Sequence, residues 1–288
     1  MLKNGHNFAV SAWVWNSDPS TDNYAFISKA AELGFDGVEI PTFDGNLDTG
    51  IINDVLESQS KRIFPIVVGG GSPGADLASE SEYIRINGIN YLKKLIQISN
   101  EIGSKLICGP LYTSVGKTTY LKEKERVSVI QRVAASLKIV SSFAEEHGVK
   151  IALEPLCRYD THLINTAEQA MRLIELIDSE GVGILLDTFH MNIEERSIRD
   201  AVRLSDKRLF HIQVCENDRG APGTGQVGWE IFRNSIREIN YQGWISIESF
   251  TPFEANFSAM MHAWRTLENT QDELALKGLE FLKNLLGQ

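Results

Sequence analysis

Four polar side chains that carry oxygen follow short apolar stretches in the second half of the chain. In the clearest stretch, residues 183–192, the run Gly-Ile-Leu-Leu leads directly into Asp187 and then into His190. The other three stretches close on Glu154, Gln213 and Glu248, and the four residues are 33, 26 and 35 positions apart. Each interval is close to the roughly 30 residues of one strand-helix-strand unit. We therefore expect the four side chains to converge from the carboxyl ends of four consecutive parallel strands.

The residue types at these positions predict a cation site. A single carboxylate at a strand end is more often a helix N-cap or a surface charge, so the prediction depends on the four residues occurring together. Three carboxylates that converge without a cation repel one another and tend to take up protons. Hard oxygen ligands bind Mn²⁺, Mg²⁺ or Co²⁺ better than they bind a metal that prefers thiolate ligands.

The rest of the chain supplies the elements that would position these residues. Further apolar stretches predict four earlier strands, at residues 8–14, 35–41, 63–68 and 105–110, and the stretch that closes on Glu154 is the fifth strand, at 149–153. Periodic helical segments separate all the strands, and Thr166 with Gln169 has the spacing of a capping box before the helix that reaches Ile177. The last helical region is predicted over residues 253–286, giving eight strands and eight helical segments in alternation.

Strict alternation of strands and helices predicts an α/β fold with a parallel sheet. A doubly wound sheet would usually show a glycine fingerprint after the first strand, and residues 12–16 contain no glycine. Eight units within 288 residues favour a single (β/α)₈ TIM barrel, with residues 1–288 forming one domain. The active site of such a barrel lies at the carboxyl ends of its strands.

Composition excludes several other classes of function. The net charge is −10, and no segment concentrates basic residues, which argues against nucleic acid as a partner. The cysteines, Cys108, Cys157 and Cys215, are odd in number and lack CxxC spacing, so a reducing, cytoplasmic location is expected. No apolar run approaches the roughly 18 residues of a membrane span, so we expect no membrane partner.

Several of these segments resemble a known family, the xylose-isomerase-like TIM barrels, and within it the ketose 3-epimerases typified by D-tagatose 3-epimerase and D-psicose 3-epimerase. The matching segments are Leu-Glu-Pro-Leu-Cys-Arg-Tyr-Asp at 153–160, Leu-Asp-Thr-Phe-His-Met-Asn at 186–192, Glu-Asn-Asp-Arg at 216–219, Pro-Gly-Thr-Gly at 222–225 and Ile-Glu at 247–248. The resemblance covers most of the chain and is strongest from residue 122 onward. It implies a small-molecule sugar as substrate and a homodimer or homotetramer.

Carried over residue by residue, the resemblance implies a set of functional residues. The metal ligands fall on Glu154, Asp187, Gln213 and Glu248, and the substrate-binding His and Arg fall on His190 and Arg219. Two positions depart from the epimerases, because Gln213 stands where they have a His and Asp160 where they have a substrate-binding Glu. The segment His-Ile-Gln at 211–213 resembles hydroxypyruvate isomerase, a relative that uses Gln as a metal ligand.

The implied reaction is epimerisation of a free ketose at C3 with one divalent cation, Mn²⁺ in the first place and Mg²⁺ or Co²⁺ as alternatives. The cation would act as a Lewis acid that stabilises an enediolate by several kcal/mol. Glu154 and Glu248, on opposite faces of the sugar, would serve as base and acid. If one carboxylate instead moved the proton between neighbouring carbons, the enzyme would be a hydroxypyruvate-type or inosose-type isomerase.

Two other classes of function fit the sequence less well. An endonuclease-IV-like phosphodiesterase would need additional His ligands and a basic surface, whereas the chain has six His and a charge of −10. A sugar-binding protein without catalysis would be expected to lose one of the two glutamates, and both are present. Trp13, Trp15 and Phe250 are candidates for an apolar wall against a sugar.

Overall fold

Eight parallel strands pair in chain order, and the eighth closes onto the first. The structure is a computed structural model, and it describes residues 5–18, 21 and 23–288. The strands are Asn7–Ser11 (β1), Gly37–Pro41 (β2), Phe64–Val68 (β3), Leu106–Gly109 (β4), Lys150–Leu153 (β5), Val182–Asp187 (β6), Leu209–Val214 (β7) and Trp244–Ile247 (β8). Helices follow the strands around the outside of the barrel. The predicted (β/α)₈ TIM barrel is confirmed.

Ten α-helices accompany the strands in the part of the chain that the structure describes. They are Phe26–Glu32 (α1), Thr49–Ser58 (α2), Glu82–Glu101 (α3), Glu123–Glu146 (α4), Ala167–Ile177 (α5), Thr188–Glu194 (α6), Ile198–Ser205 (α7), Trp229–Glu238 (α8), Ala255–Met260 (α9) and Gln271–Leu286 (α10). The predicted capping box at the start of α5 is confirmed, because Thr166 and Gln169 satisfy each other's backbone N–H groups.

The expectation of eight helical segments is wrong in two places. An additional helix, α6, follows β6 directly, because the Asp187 side chain accepts a hydrogen bond from the Phe189 N–H and caps it. The region predicted as one helix over residues 253–286 divides into α9 and α10. His262 has a positive φ of 55° between them, and Thr270 begins α10 as its N-cap.

The period of two along each strand explains how the barrel positions the polar residues. A small buried cluster inside the barrel contains Ala152 of β5 and Leu185 of β6, whereas a much larger cluster lies between the strands and the helices. Side chains two positions apart share one face of a strand. The next inward positions along these two strands are therefore Glu154 and Asp187. His211 and Gln213 on β7, and Ser246 on β8 with Glu248 directly after that strand, follow the same spacing.

By length and composition, α4 is the one helix in the described part of the chain that could cross a membrane. Its apolar residues nevertheless form one stripe along the helix. Val129, Val133, Leu137, Val140 and Ala144 are all buried in the main core, while other faces of the helix are exposed. This is the pattern of an amphipathic helix packed on a barrel.

Candidate active site

The four strand-end side chains are buried and lie together at the carboxyl end of the barrel. Asp187 and Gln213 are register partners on the neighbouring strands β6 and β7. The amide Nε2 of Gln213 donates to Glu248 Oε1 at 3.1 Å, which joins β7 to the residue that follows β8. Glu154 reaches the same group through His190, whose Nε2 is 3.5 Å from Glu154 Oε1 and 3.7 Å from Asp187 Oδ2.

Arg219 places a positive charge against these carboxylates. Its Nη1 donates to Asp187 Oδ2 at 2.6 Å and to Glu248 Oε2 at 3.0 Å, and its side chain is only 14% exposed. The guanidinium also lies over the rings of Phe189 and Phe250, at 4.0 and 4.9 Å from their centroids. Burial tends to lower the pKa of Arg219, but Asp187 and other neighbours raise it well above its usual value, so the cation is permanent.

The loop that carries Arg219 is organised by a buried carboxylate that the sequence does not identify as structural. Glu216 accepts hydrogen bonds from the backbone N–H groups of Gly223 at 2.8 Å and Val227 at 3.0 Å, and from Trp229 Nε1 at 2.6 Å. Arg219 itself has a positive φ of 69°, and its carbonyl accepts from Ser249 Oγ at 2.7 Å. These contacts hold the guanidinium at one place in the site.

His190 is a neutral N–H donor directed at the carboxylates. Its Nδ1 accepts a hydrogen bond from the Cys157 backbone N–H at 2.9 Å, so the proton of the neutral ring is on Nε2. Burial and the nearby charge of Arg219 lower the pKa of His190 well below its usual value. The residue therefore directs Nε2 at the space beside Glu154 and Asp187, where Arg219 Nη2 also lies 3.2 Å from this nitrogen.

The electrostatics of the site favour protonated carboxyl groups. Burial raises the pKa of Glu154 well above its ordinary value, and the charges of Glu248 and Asp187 add to the effect. Burial raises the pKa of Glu248 to about 8 although Arg219 acts in the opposite direction, and burial likewise raises the pKa of Asp187. One guanidinium therefore does not neutralise the cluster, and an additional cation would stabilise its ionised form.

Glu39 is a fourth carboxylate of the site, and sequence reasoning missed it. It lies on β2, is fully buried, and accepts hydrogen bonds from Gln213 Nε2 at 3.0 and 3.2 Å and from His211 Nε2 at 2.7 Å. A usable signal was present, because an acidic residue between Val38 and Ile40 in a strand buried on both faces requires buried partners. It was missed because Glu39 does not close its strand.

Asp160 lies at the rim of the site rather than among the carboxylates. Its side chain is 24% exposed, accepts a hydrogen bond from Cys157 Sγ at 3.1 Å, and has its Oδ2 4.0 Å from His190 Nδ1. Burial and the nearby Asp160 charge raise the pKa of Cys157 to about 12, so the thiol keeps its proton. All three cysteines are buried and free.

An aromatic cluster borders Arg219 at the same end of the barrel. Trp13 stacks on Phe43 with ring centroids 5.4 Å apart, and its centroid is 5.7 Å from Phe250 and 5.9 Å from Phe257. Trp15 does not join this cluster, since its indole N–H donates to Asp272 at 2.7 Å. The apolar surface is therefore formed by Trp13 and three phenylalanines.

The donor atoms of the site suit a hard divalent cation. Glu154 and Asp187 each offer a carboxylate oxygen within a group of ligand atoms that lie no more than 4.8 Å apart. Gln213 Oε1 is buried and has no hydrogen-bond partner among the residues that the structure describes. A buried carbonyl oxygen without a donor is costly unless a ligand satisfies it. Carboxylate and amide oxygens are ligands that Mg²⁺ and similar ions accept.

Residues 27–285 match the family described as "Xylose isomerase-like TIM barrel", and the chain belongs to that family. It is 30% identical over 279 residues to a "Probable ketose 3-epimerase" of Synechocystis sp., covering 96% of this chain and 95% of the relative. It is 31% identical over 276 residues to the L-ribulose 3-epimerase of Methylomonas sp., covering 94% and 95% of the two chains.

A solved structure is similar over nearly the whole barrel. The crystal structure of D-allulose 3-epimerase from Methylomonas sp. in complex with D-allulose matches with a TM-score of 0.88 and 29% identity, over 97% of both chains. Because these relatives are ketose 3-epimerases, the protein is assigned to the isomerases of the racemase and epimerase class.

Proposed function

We propose that the protein is a divalent-metal-dependent epimerase that inverts C3 of a free ketose. The observation that carries the proposal is the pair of buried glutamates, Glu154 and Glu248, which lie beside the oxygen donors Asp187 and Gln213; the charge of Glu248 raises the pKa of Glu154. Inversion of a carbon requires a proton carrier on each face of the sugar, and a pair of glutamates with raised pKa values can supply both. The names of the relatives support the ketose as substrate class.

Glu154, Asp187, Gln213 and Glu248 would hold the cation, with Mn²⁺ as the first candidate and Mg²⁺ or Co²⁺ as alternatives. Support comes from the set of oxygen donors and from the unpartnered Oε1 of Gln213. When bound, a divalent cation polarises the ketose carbonyl and stabilises the negative charge that develops on its oxygen.

The two glutamates carry out the proton transfers. One carboxylate removes the proton from C3, and the electron pair of the broken C3–H bond moves toward the C2 carbonyl. The other glutamate then delivers a proton to the opposite face of C3, so the stereocentre is inverted.

Three other residues would orient the sugar. His190 Nε2–H donates to a substrate oxygen, Arg219 directs a fixed cation at a neighbouring oxygen, and Asp160 accepts from a hydroxyl group at the rim. The cluster of Trp13 and Phe250 covers an apolar face of the sugar and excludes water.

We further propose that residues 1–288 act as one domain in the cytoplasm, as a homodimer or homotetramer. The free cysteines support the location, and light scattering on the purified protein tests the assembly.

The decisive experiment uses protein stripped with a chelator and reloaded separately with Mn²⁺, Mg²⁺ or Co²⁺. Each form is incubated with a panel of ketoses and with hydroxypyruvate in D₂O, and products are followed by NMR. We expect a C3 epimer that carries deuterium at C3. Failure to convert any ketose with any of the three ions would contradict the proposal.

A hydroxypyruvate-type or inosose-type isomerase is the second candidate, and the observation that favours it is the amide ligand position at Gln213. The same experiment separates the two reactions. Deuterium at C1 with an aldose product would indicate proton transfer between neighbouring carbons, whereas deuterium at C3 indicates epimerisation.

A further inference from the structure

The amide of Gln213 is held by carboxylates at its nitrogen end. Nε2 lies 3.0 and 3.2 Å from the two oxygens of Glu39 and 3.1 Å from Glu248 Oε1. Both oxygens of Glu39 face Nε2, and a carboxyl group in this position always offers at least one oxygen that accepts from an NH₂ group, so Glu39 selects the NH₂ end of the amide. The carbonyl end, Oε1, is left buried and without a partner among the described residues.

Glu39 is itself held by two inward positions of β7. Its Oε1 accepts from His211 Nε2 at 2.7 Å, and both residues are fully buried. Because Nε2 faces an acceptor oxygen of Glu39, the proton of a neutral ring lies on Nε2, and Nδ1 has no partner within the described ranges. The side chains of His211 and Gln213 thus donate hydrogen bonds that fix the carboxylate of Glu39, which lies on β2, more than 170 residues earlier in the chain.

We propose that Glu39 is a positioning residue that orients Gln213 so that its carbonyl oxygen, and not its amino group, is presented to the divalent cation. The inference rests on the proposed metal-dependent function. The terminal torsion of a glutamine is broad and roughly two-fold, so the side chain alone does not distinguish its two ends. A rotated amide would direct an NH₂ group at the cation and remove one ligand.

The test is a double-mutant cycle on Mn²⁺ affinity, measured by titration calorimetry without sugar. The proteins are the wild type, Glu39→Gln, Gln213→Ala and the double variant. Glu39→Gln should weaken Mn²⁺ binding by about 10- to 100-fold, the usual effect of losing a residue that orients a ligand. In the Gln213→Ala background the same change should cost less than about threefold, because there is no amide left to orient.

An effect of negative charge alone predicts a different result. Glu39 would then attract the cation through space, and its replacement would weaken binding equally with Gln or Ala at position 213. Equal losses in the two backgrounds, or no loss in Glu39→Gln, would overturn the proposal.

A reciprocal exchange keeps the test decisive if Glu39→Gln does not fold. In the variant Glu39→Gln with Gln213→Glu, the donor and the acceptor of this pair are exchanged, the total charge is unchanged, and the amide oxygen introduced at position 39 can still accept from His211, while the hydrogen bond from position 213 to Glu248 is lost. Thermal unfolding checks that the variant folds. We expect it to bind Mn²⁺ within about tenfold of the wild type. Binding no tighter than that of Gln213→Ala would contradict the positioning role.

The affinity measurements also separate this inference from the proposed reaction. If the wild type binds Mn²⁺ with the expected coupling but converts no ketose, the proposed reaction fails and the positioning role stands. If it converts ketoses but the cycle shows no coupling, the positioning role alone fails. A wild type that binds no divalent cation would refute both.

Discussion

Replacing Glu248 by Gln tests the proposed proton transfer most directly, because the change keeps the shape of the side chain and one oxygen while it removes the carboxyl group. The amide oxygen introduced at position 248 can still accept from Gln213 Nε2, which is 3.1 Å from Glu248 Oε1. The amide NH₂ then faces Arg219 Nη1, so Arg219 loses its acceptor at 3.0 Å and is held by Asp187 at 2.6 Å. The group that disappears is the carboxyl proton carrier.

At saturating Mn²⁺, we expect Glu248→Gln to lower turnover by about 10² to 10⁴, the usual contribution of a positioned acid or base. This corresponds to about 3 to 5 kcal/mol of transition-state stabilisation. Loss of a charge should also weaken Mn²⁺ binding, so the cation concentration is raised until the rate no longer increases. The assay follows epimer formation and deuterium incorporation at C3 by NMR in D₂O, and Glu154→Gln should behave in the same way.

Glu280→Gln is the matched control, since Glu280 is an exposed residue on α10, outside the site. The control should turn over at the wild-type rate. Wild-type turnover in Glu248→Gln, or product formed at the normal rate without deuterium at C3, would refute the assignment of Glu248 as a proton carrier.

Three further predictions follow from pKa values and helix capping. Mn²⁺ affinity should rise by up to about tenfold per pH unit as the pH approaches 8. The reason is that the pKa of Glu248 is about 8 and the carboxyl group must lose its proton before it binds a cation. Calorimetry at several pH values measures this affinity. In metal-free protein the free energy of unfolding should fall as the pH rises from 4.5 towards 8, since a raised pKa favours the folded state only while the group is protonated; urea denaturation measures it. Thr270→Ala should lower the free energy of unfolding by about 1 kcal/mol in the same assay with kcat unchanged, because it removes only the hydrogen bond from the Glu273 N–H that caps α10.

The fold could be predicted from the sequence because the necessary signals are local. Apolar stretches such as 183–186 and helices such as α4 and α5 have their own periodicities, and their strict alternation leaves few topologies other than the barrel. The division of residues 253–286 into two helices was not predicted. It depends on a positive φ at His262 and on the cap at Thr270, which a periodicity over the whole region does not reveal.

For the site, the sequence by itself determined which oxygen donors the strands β5 to β8 present, because each donor ends an apolar stretch and the period of two directs it inward. Only the tertiary structure decided the partners of those donors. Glu39 meets Gln213 inside the closed barrel although the two residues are 174 positions apart, and Arg219 joins Asp187 to Glu248 from a loop shaped by Glu216. The physical reason is that contacts across a barrel depend on closure and strand register, and these are properties of the whole sheet and not of any one stretch of sequence.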